Sequence, residues 1–406
     1  MVNKRRKFLK GLVTLPLAGS LAGTQAFAHP LEKLDTLPQR DYFKELGVRT
    51  FINAAGTYTM LTGSLLHPKV VEAYQFASTQ YARLEDLQEK AGARIAELLK
   101  CEGAMVTSGA ASAITFGTAA VITGGDPEKI IRIPNDLTGM KSEVIIQKKH
   151  RVGYDHAIRN CGVKLIEVET RKELENAINE KTAMLWFLNF NNSEGKVRDE
   201  EFVSIAKKHN IPCMNDCAAD VPPAENLWKY TQMGFDLVCF SGGKGLRGPQ
   251  SAGLLLGKKS LIQAALKNAP PNGNTVGRGM KVNKEEILGM LAALEVFLEK
   301  DHQKEWALWE SQIKLIHDAA ASVPGVTTEI HIPPIANHVP SLRITWDRKK
   351  VKITGPEIRD ALRNGHPSIE TMGGEESLDI TTWMMVPGEE RIVASRVADV
   401  LQRASS

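Results

Sequence analysis

Seven short, mostly apolar runs punctuate the chain: "GAMVT" (103–107), "KIIRI" (129–133), "VKLIEV" (163–168), "TAMLWFL" (182–188), "IPCMN" (211–215), "FDLVCF" (235–240) and "AGLLLG" (252–257). Helical stretches such as "AASAITFGTAAVI" and "DEEFVSIAKKH" lie between several of them. A strand without a polar face has to be covered on both sides, and helices between strands provide crossovers that also cover the sheet. This pattern predicts an α/β fold built on a mainly parallel, seven-stranded sheet.

Behind the last run comes "NKEEILGMLAALEVFLEKDHQKEWALWESQIKLIHDAAASV", a helical pattern too long for one unbent globular helix. The C-terminal part alternates short strand patterns ("TTEIHI", "SLRITW", "SLDITTW") with helices near "PEIRDALRNG" and "EERIVASRVADVLQR". It reads as a small C-terminal α+β domain. The expected order is an N-terminal arm over 29–60, a large domain over 61–300, and a linking helix with the small domain over 301–406.

Residues 1–28 read differently. "NKRRKFLKG" leads into "LVTLPLAGSLAGTQAFA", a basic segment followed by a modest apolar stretch that ends in the small-residue pattern Ala26-Phe27-Ala28. Arg5-Arg6 followed by Phe8, Leu9 and Lys10 resembles a twin-arginine export signal, and Pro16 with the neighbouring glycines makes the stretch a poor spanning helix. Cleavage after Ala28 and a periplasmic mature protein are expected, free of the membrane. The net charge of +4 then falls to −1 (+4 − 5), because Lys4, Arg5, Arg6, Lys7 and Lys10 leave with the signal. A nucleic-acid partner would thereby lose its main electrostatic attraction, and none is expected. Five cysteines with no CxxC spacing outline no disulfide framework. His209, Cys213 and Cys217 lack an evident fourth ligand, so no metal is expected.

Three segments carry candidate chemistry. "VTSGAASAI" places Ser108, Gly109 and Ala110 at a turn into a helix of small residues, where free backbone N–H groups suit a phosphate; helix capping by serine explains the same residues. "NDCAAD" places Asp216 at a strand's carboxyl end, where it can cap a turn, bind a metal or hold a protonated ring nitrogen. "FSGGKGLRGPQSAG" places Lys244 among glycines after another strand, either as a solvated loop lysine or at the ligand edge of the sheet. Asp216 and Lys244 are 28 residues apart, close to one strand–crossover–strand unit, so neighbouring strands would bring both to one edge. Phosphate cradle, carboxylate and lysine in this order fit pyridoxal 5′-phosphate: Lys244 as Schiff-base lysine, Asp216 at the pyridinium nitrogen, Ser241 adding a hydroxyl to the phosphate.

"INAAGTYTMLTGS", "TSGAASAI", "KKHRVGYDHAIRNCG", "NDCAAD", "FSGGKGLRGPQSAGLLLG" and "TVGRGMKVNKEE" together resemble the selenocysteine synthase and D-glucosaminate-6-phosphate ammonia-lyase group of fold-type-I pyridoxal-phosphate enzymes. The likeness covers residues 40–300 well and the rest more loosely. It implies a PLP-dependent transferase fold, with Lys244 catalytic and Ser108, Gly109, Ala110, Asp216, Ala218 and Ser241 at the cofactor. It puts His150 either over the cofactor ring or, as a plain core histidine, in the interior. Asn53, Thr57 and Thr59 would line the substrate side. Arg343 would take a substrate carboxylate or remain a strand-surface arginine, and Arg278 with Lys281 would reach across the interface of a homodimer, or of a larger homo-oligomer, towards a phosphate or an acidic substrate.

The expected activity is α,β-elimination on a small amino acid or amino sugar acid, releasing ammonia and a keto acid. Aminotransferase chemistry is the alternative, followed by racemase, aldolase or a non-catalytic binding protein. Selenocysteine synthases carry an additional N-terminal region for their seryl-tRNA, whereas only about twenty residues separate Ala28 from the shared pattern here, which argues against a tRNA-dependent selenium transferase.

Overall fold

A computed structural model of the chain describes residues 40–405. The expected export signal, residues 1–28, lies outside the described residues. The chain divides at Arg49 into two units. In the described part of the first, the short helix Tyr42–Glu45 is capped by Asp41, whose carboxylate accepts the Lys44 N–H. The second unit, from Thr50 onward, carries the rest of the described elements.

Twelve strands run in chain order as β1 (Phe51–Asn53), β2 (Gly103–Thr107), β3 (Glu143–Gln147), β4 (Lys164–Val168), β5 (Thr182–Leu188), β6 (Cys213–Asp216), β7 (Leu237–Ser241), β8 (Gly253–Gly257), β9 (Val326–His331), β10 (Ser341–Trp346), β11 (Ser368–Glu370) and β12 (Ser377–Thr381). Seven form the central sheet in the order β2-β8-β7-β6-β5-β3-β4. Only β8 is antiparallel to its neighbours, β2 and β7; the remaining pairs are parallel. The mainly parallel seven-stranded α/β sheet is thus as expected.

Six of the seven expected runs form strands of this sheet; "KIIRI" does not. Asp126 accepts the Glu128 N–H and Pro127 occupies the first turn, so Pro127–Ile130 becomes a short helix. Asp before Pro is a helix start, since proline's fixed φ and missing N–H suit the first turn. The seventh strand is "EVIIQ" (β3), flanked by charged residues rather than by glycines, and its Val144, Ile145 and Ile146 are fully buried.

Residues of alternating parity along these strands fill two cores. Ile145, Leu185, Phe187, Val238, Phe240 and Leu254 face helices Leu84–Leu99, Asp199–Lys208 and Lys284–Glu299; Val144, Met184, Trp186, Met214, Leu237 and Leu255 face Ala110–Thr123 and Lys259–Lys267. All seven residues of β5 are buried, as a central strand covered on both faces requires. Each large side chain so enclosed contributes about 1.5–3 kcal/mol. Strand β2 forms one edge of the sheet, and its open hydrogen bonds are covered rather than left to pair with another chain. Gln88, on helix Leu84–Leu99, donates to the Val106 carbonyl at 2.7 Å and accepts the Val106 N–H at 3.2 Å.

The long helical pattern is two helices, Lys284–Glu299 and His302–Ala321, broken where Lys300 turns extended and Asp301 caps the second by accepting the Lys304 N–H. The second helix packs with the final helix, Glu389–Ala404, against the antiparallel sheet β12-β10-β9, over a separate core that includes Ile313, Leu342, Ile344, Leu378, Ile380 and Val397. Strand β1 pairs in parallel with β11, and Ile52 and Ala54 join that core. The end of the expected N-terminal arm is therefore structurally part of the small domain.

Candidate active site

Strand register assembles the site at the carboxyl edge of the parallel strands. Thr107 on β2 pairs with Gly253 on β8, and Gly253 with Ser241 on β7, forming one transverse row. One strand further, Cys239 pairs with Asp216, and Asp216 with Leu188 on β5. The backbone joins the two halves: the Ala218 N–H donates to Asp216 Oδ1 at 3.1 Å, while the Ala218 carbonyl accepts the Ser241 N–H at 3.3 Å.

Ser108, Gly109 and Ala110 form the turn into helix Ala110–Thr123. Gly109 holds φ at +97° and no side chain caps the helix start. The Ser112 hydroxyl donates to the Gly109 carbonyl at 2.8 Å, which leaves the first backbone N–H groups unused. Gly253 lies beneath this turn, where a Cβ would come within 2.6 Å of the Gly109 carbonyl carbon and 2.8 Å of the Ala110 nitrogen. These features make a cradle for an anion: uncapped amides at a 14-residue helix's positive end, beside the Ser241 position.

Lys244 and Asp216 lie near enough for their charges to act on one another. Lys244 lines a cavity of about 330 Å³ together with Thr57, Thr59, Ser241, Gln250 and Ser251. Loss of hydration lowers the Lys244 pKa, partly offset by the charges of Asp216 and Asp220. Burial raises the Asp216 pKa, against the Ala218 N–H, the Lys244 charge and the Cys239 thiol, which approaches Asp216 Oδ1 at 3.5 Å. A buried carboxyl of this kind gains stability as an anion when a cation is placed against it.

The substrate-side candidates separate. Thr57 and Thr59 line the cavity, and the Gln250 side chain donates to the Thr59 carbonyl at 3.1 Å. Asn53 instead organises its own loop: Oδ1 accepts the Ala55 and Gly56 N–H groups and Nδ2 donates to the Gly56 carbonyl. Its side chain shapes the wall on which Thr57 stands. Arg343 is half-exposed on β10 and its fork is occupied by Asp379, opposite it on β12, with Nε to Oδ1 at 2.8 Å. That pairing matches the strand-surface alternative. Arg278 and Lys281 are exposed, and neither joins an ion pair within the described chain.

His150 matches the core alternative rather than the stacking one. It is entirely buried, its Nδ1 accepts the Leu188 N–H at 3.1 Å, and its ring meets Phe187 edge-on at 4.5 Å. Burial pushes its pKa down to about 4, so the imidazole is neutral. A ring enclosed in this way presents no face to a ligand.

Sequence reasoning missed Asp220, four residues after Asp216 in "NDCAAD". It is buried, accepts from Asn189 Nδ2 at 2.7 Å, and Asn189 also reaches the Tyr230 hydroxyl at 2.7 Å. Burial raises its pKa to about 7. The second carboxylate of the motif was the available signal; Asn189 and Tyr230 had none, being brought there by β5 and by helix Asn226–Met233. Among the described residues all five cysteines are free, no cluster of metal-ligating side chains occurs, and no helix is long and apolar enough to cross a membrane.

Comparison with known proteins places this geometry. The D-glucosaminate-6-phosphate ammonia lyase of Salmonella typhimurium is 29% identical over 379 residues, covering 89% of this chain and 98% of that protein. A solved structure of D-glucosaminate-6-phosphate ammonia-lyase superposes with a TM-score of 0.78 at 26% identity, over 91% of this chain and all of that one. The L-seryl-tRNA(Sec) selenium transferase of Alkaliphilus oremlandii is 28% identical over 69% of this chain, but the match spans only 62% of the transferase. The family model described as SelA, L-seryl-tRNA selenium transferase, matches residues 51–324, and the chain belongs to that family.

Proposed function

We propose that this protein is a pyridoxal-5′-phosphate-dependent lyase that eliminates ammonia from an amino acid or amino sugar acid. The observation that carries this reading is the desolvated Lys244 on the wall of a cavity beside the buried carboxyl of Asp216. The residues present fit the cofactor. The uncapped amides after Gly109, with Ser108 and Ser241, suit its phosphate, and Asp216 offers a carboxylate for a ring N–H⁺.

When bound, pyridoxal phosphate supplies an electron sink conjugated to the substrate nitrogen. The chain's own residues do the rest. Asp216, buried at a strand end, favours a positive ring nitrogen because charge pairing recovers what its own burial costs. Lys244, whose amine loses its proton more readily out of water, takes the proton from the substrate Cα and can return it to the departing group at Cβ. The bonds broken are Cα–H and the bond from Cβ to its leaving group, which departs with the electron pair. Water then replaces nitrogen at the former Cα, giving a keto acid and ammonia. Thr57, Thr59 and Gln250 form the cavity wall on which the substrate is oriented.

The relatedness to the Salmonella ammonia lyase, along nearly the whole of that protein, supports this reaction class over selenium transfer. A homodimer belongs to the same reading: Tyr58, Met60, Leu65, Val71, Phe76 and Tyr81 are exposed apolar side chains along one short stretch. A mature chain beginning after Ala28 outside the cytoplasm also belongs to it; an exported protein that retains Met1 would refute that part.

The test of the central claim is borohydride reduction of the purified, cofactor-saturated protein. A pyridoxyl mass on the Lys244 peptide is expected, together with loss of turnover in Lys244→Ala while that variant still takes up the cofactor. Full activity in Lys244→Ala would overturn the assignment.

A further inference from the structure

Asp220 is 1% exposed, does not line the Lys244 cavity and has no task in the chemistry above. Its carboxyl is nonetheless built into place. Asn189 Nδ2 donates to Asp220 Oδ2 at 2.7 Å and to the Tyr230 hydroxyl at 2.7 Å, so both amide hydrogens are engaged. The Asp220 N–H donates to the Cys217 carbonyl at 3.1 Å, and the Asp220 carbonyl accepts from Asn226 Nδ2 at 2.7 Å. Side chain and backbone are thereby tied to the end of β5, to the turn after β6 and to helix Asn226–Met233.

The same segment runs against the Lys244 loop. A Cβ on Gly245 would lie 2.0 Å from the Val221 carbonyl oxygen and 2.7 Å from its carbon. Val221 follows Asp220 as Gly245 follows Lys244, so the two backbones touch one residue beyond each side chain. The Asp220 and Lys244 charges act on one another. The other titratable groups facing Asp220 are Asp216 at the end of β6, Cys217 on its own turn, Cys239 on β7 and Tyr230. Burial raises both thiols and the phenol well above their ordinary ranges, which leaves Asp216, Asp220 and Lys244 to carry charge.

A carboxyl is not needed to serve the fold alone. Asn189 is the donor in the contact, so an amide oxygen at position 220 would accept the same hydrogen bond without the cost of burying an ionisable group. What the acid adds is a charge that comes and goes. Burial raises its pKa to about 7, whereas burial lowers that of Lys244.

The geometry points to Asp220 as a positioning residue for Lys244, a caged carboxyl whose charge sets how tightly the neighbouring amine keeps its proton. Above neutrality the carboxylate favours the ammonium form. As pH falls through about 7 the carboxylate takes up a proton and that hold is released, so a free amine persists to lower pH than it would beside a fixed negative charge. This rests on the reading of Lys244 as the reacting amine.

The test is competitive labelling of Lys244 by acetic anhydride in the full mature chain, freed of cofactor with hydroxylamine. The Lys244 peptide is read by mass spectrometry across a range of about pH 5 to 10, which brackets both groups. No cofactor is needed, so failure of borohydride reduction to mark Lys244 would sink the cofactor reading alone. In wild type the labelling rate should depart from a single titration, with a second inflection near pH 7. Asp220→Asn should remove that inflection and label about tenfold faster above it, the effect of losing one opposite charge at short range, while matching wild type below about pH 6. Asn189→Ala should move the inflection to higher pH, because a carboxylate without its donor holds its proton more tightly. The wild-type curve decides the question even if a variant fails to fold. A single titration in wild type, unchanged labelling in Asp220→Asn, or an offset of the same size at every pH, which a merely structural role would give, would each overturn the proposal.

Discussion

Replacing Gly253 by alanine tests the register that builds the anion cradle. The added methyl would lie 2.6 Å from the Gly109 carbonyl carbon, 2.8 Å from the Ala110 nitrogen and 2.8 Å from the Phe240 carbonyl oxygen, all of them backbone atoms. Ordinary contact begins near 3.4 Å, so the turn or the strand has to yield by about 0.8 Å (3.4 − 2.6). Backbone on both sides cannot rotate away as a side chain would, and overpacking of this kind costs about 1–3 kcal/mol of stability. The displaced groups are the amides that would hold the cofactor phosphate. A hydrogen bond to a charged group contributes about 1.5–3 kcal/mol, so half the worth of two such bonds is about 2 kcal/mol, or roughly 30-fold in affinity. The assay is titration of apoprotein with pyridoxal phosphate followed by visible absorbance, with thermal unfolding of the apoprotein alongside. Gly273→Ala is the control, since a Cβ there meets nothing within 4 Å. An unchanged cofactor affinity in Gly253→Ala, with the protein folded, would refute the placement of the phosphate at Ser108–Ala110.

Asp216→Asn keeps the shape but cannot carry the charge, so turnover should fall by about 10²–10⁴-fold with cofactor still attached to Lys244; activity near wild type would remove Asp216 from the mechanism. Gln88→Met would leave the Val106 N–H and carbonyl unpaired under a covered edge, costing about 1–3 kcal/mol, read as a lower midpoint in urea with an unchanged slope. His150 is held neutral, with its pKa depressed to about 4 from an ordinary 6.5, so the unfolded chain binds the extra proton first. Its stabilising contribution is therefore complete above about pH 6.5 and is lost as pH falls towards 4, at up to about 1.4 kcal/mol per pH unit. Wild type should lose stability across that window more steeply than His150→Gln, and parallel curves would contradict the assignment.

Much of the site was legible because its residues sit in short segments after strands. "TSGAAS", "NDCAAD" and "SGGKG" each follow an apolar run, so the edge to which they belong can be read before any contact is known. The reading failed where local signals compete. "KIIRI" carries strand composition, but Asp126-Pro127 before it starts a helix; "EVIIQ" lacks flanking glycines and still forms the strand next to β5. His150 and Arg343 were left open between two roles each, since neither burial nor a cross-strand partner is written in a linear segment.

Hydrophobic periodicity along the chain determined the α/β class and the parallel sheet, and the 28-residue spacing of Asp216 and Lys244 assigned both to one edge of it, because each depends on spacings within a few tens of residues. Tertiary structure alone decided the rest. It set Gly253 between Thr107 and Ser241, closed β1 onto β11 more than 300 residues away in sequence, placed Asp220 on Asn189 and Tyr230, and left Thr381 and Trp383 facing Gly56 without partners. These are contacts between segments remote in the chain, fixed by how strands register and cores fill, and a buried group's charge or reach depends on the neighbours that packing delivers.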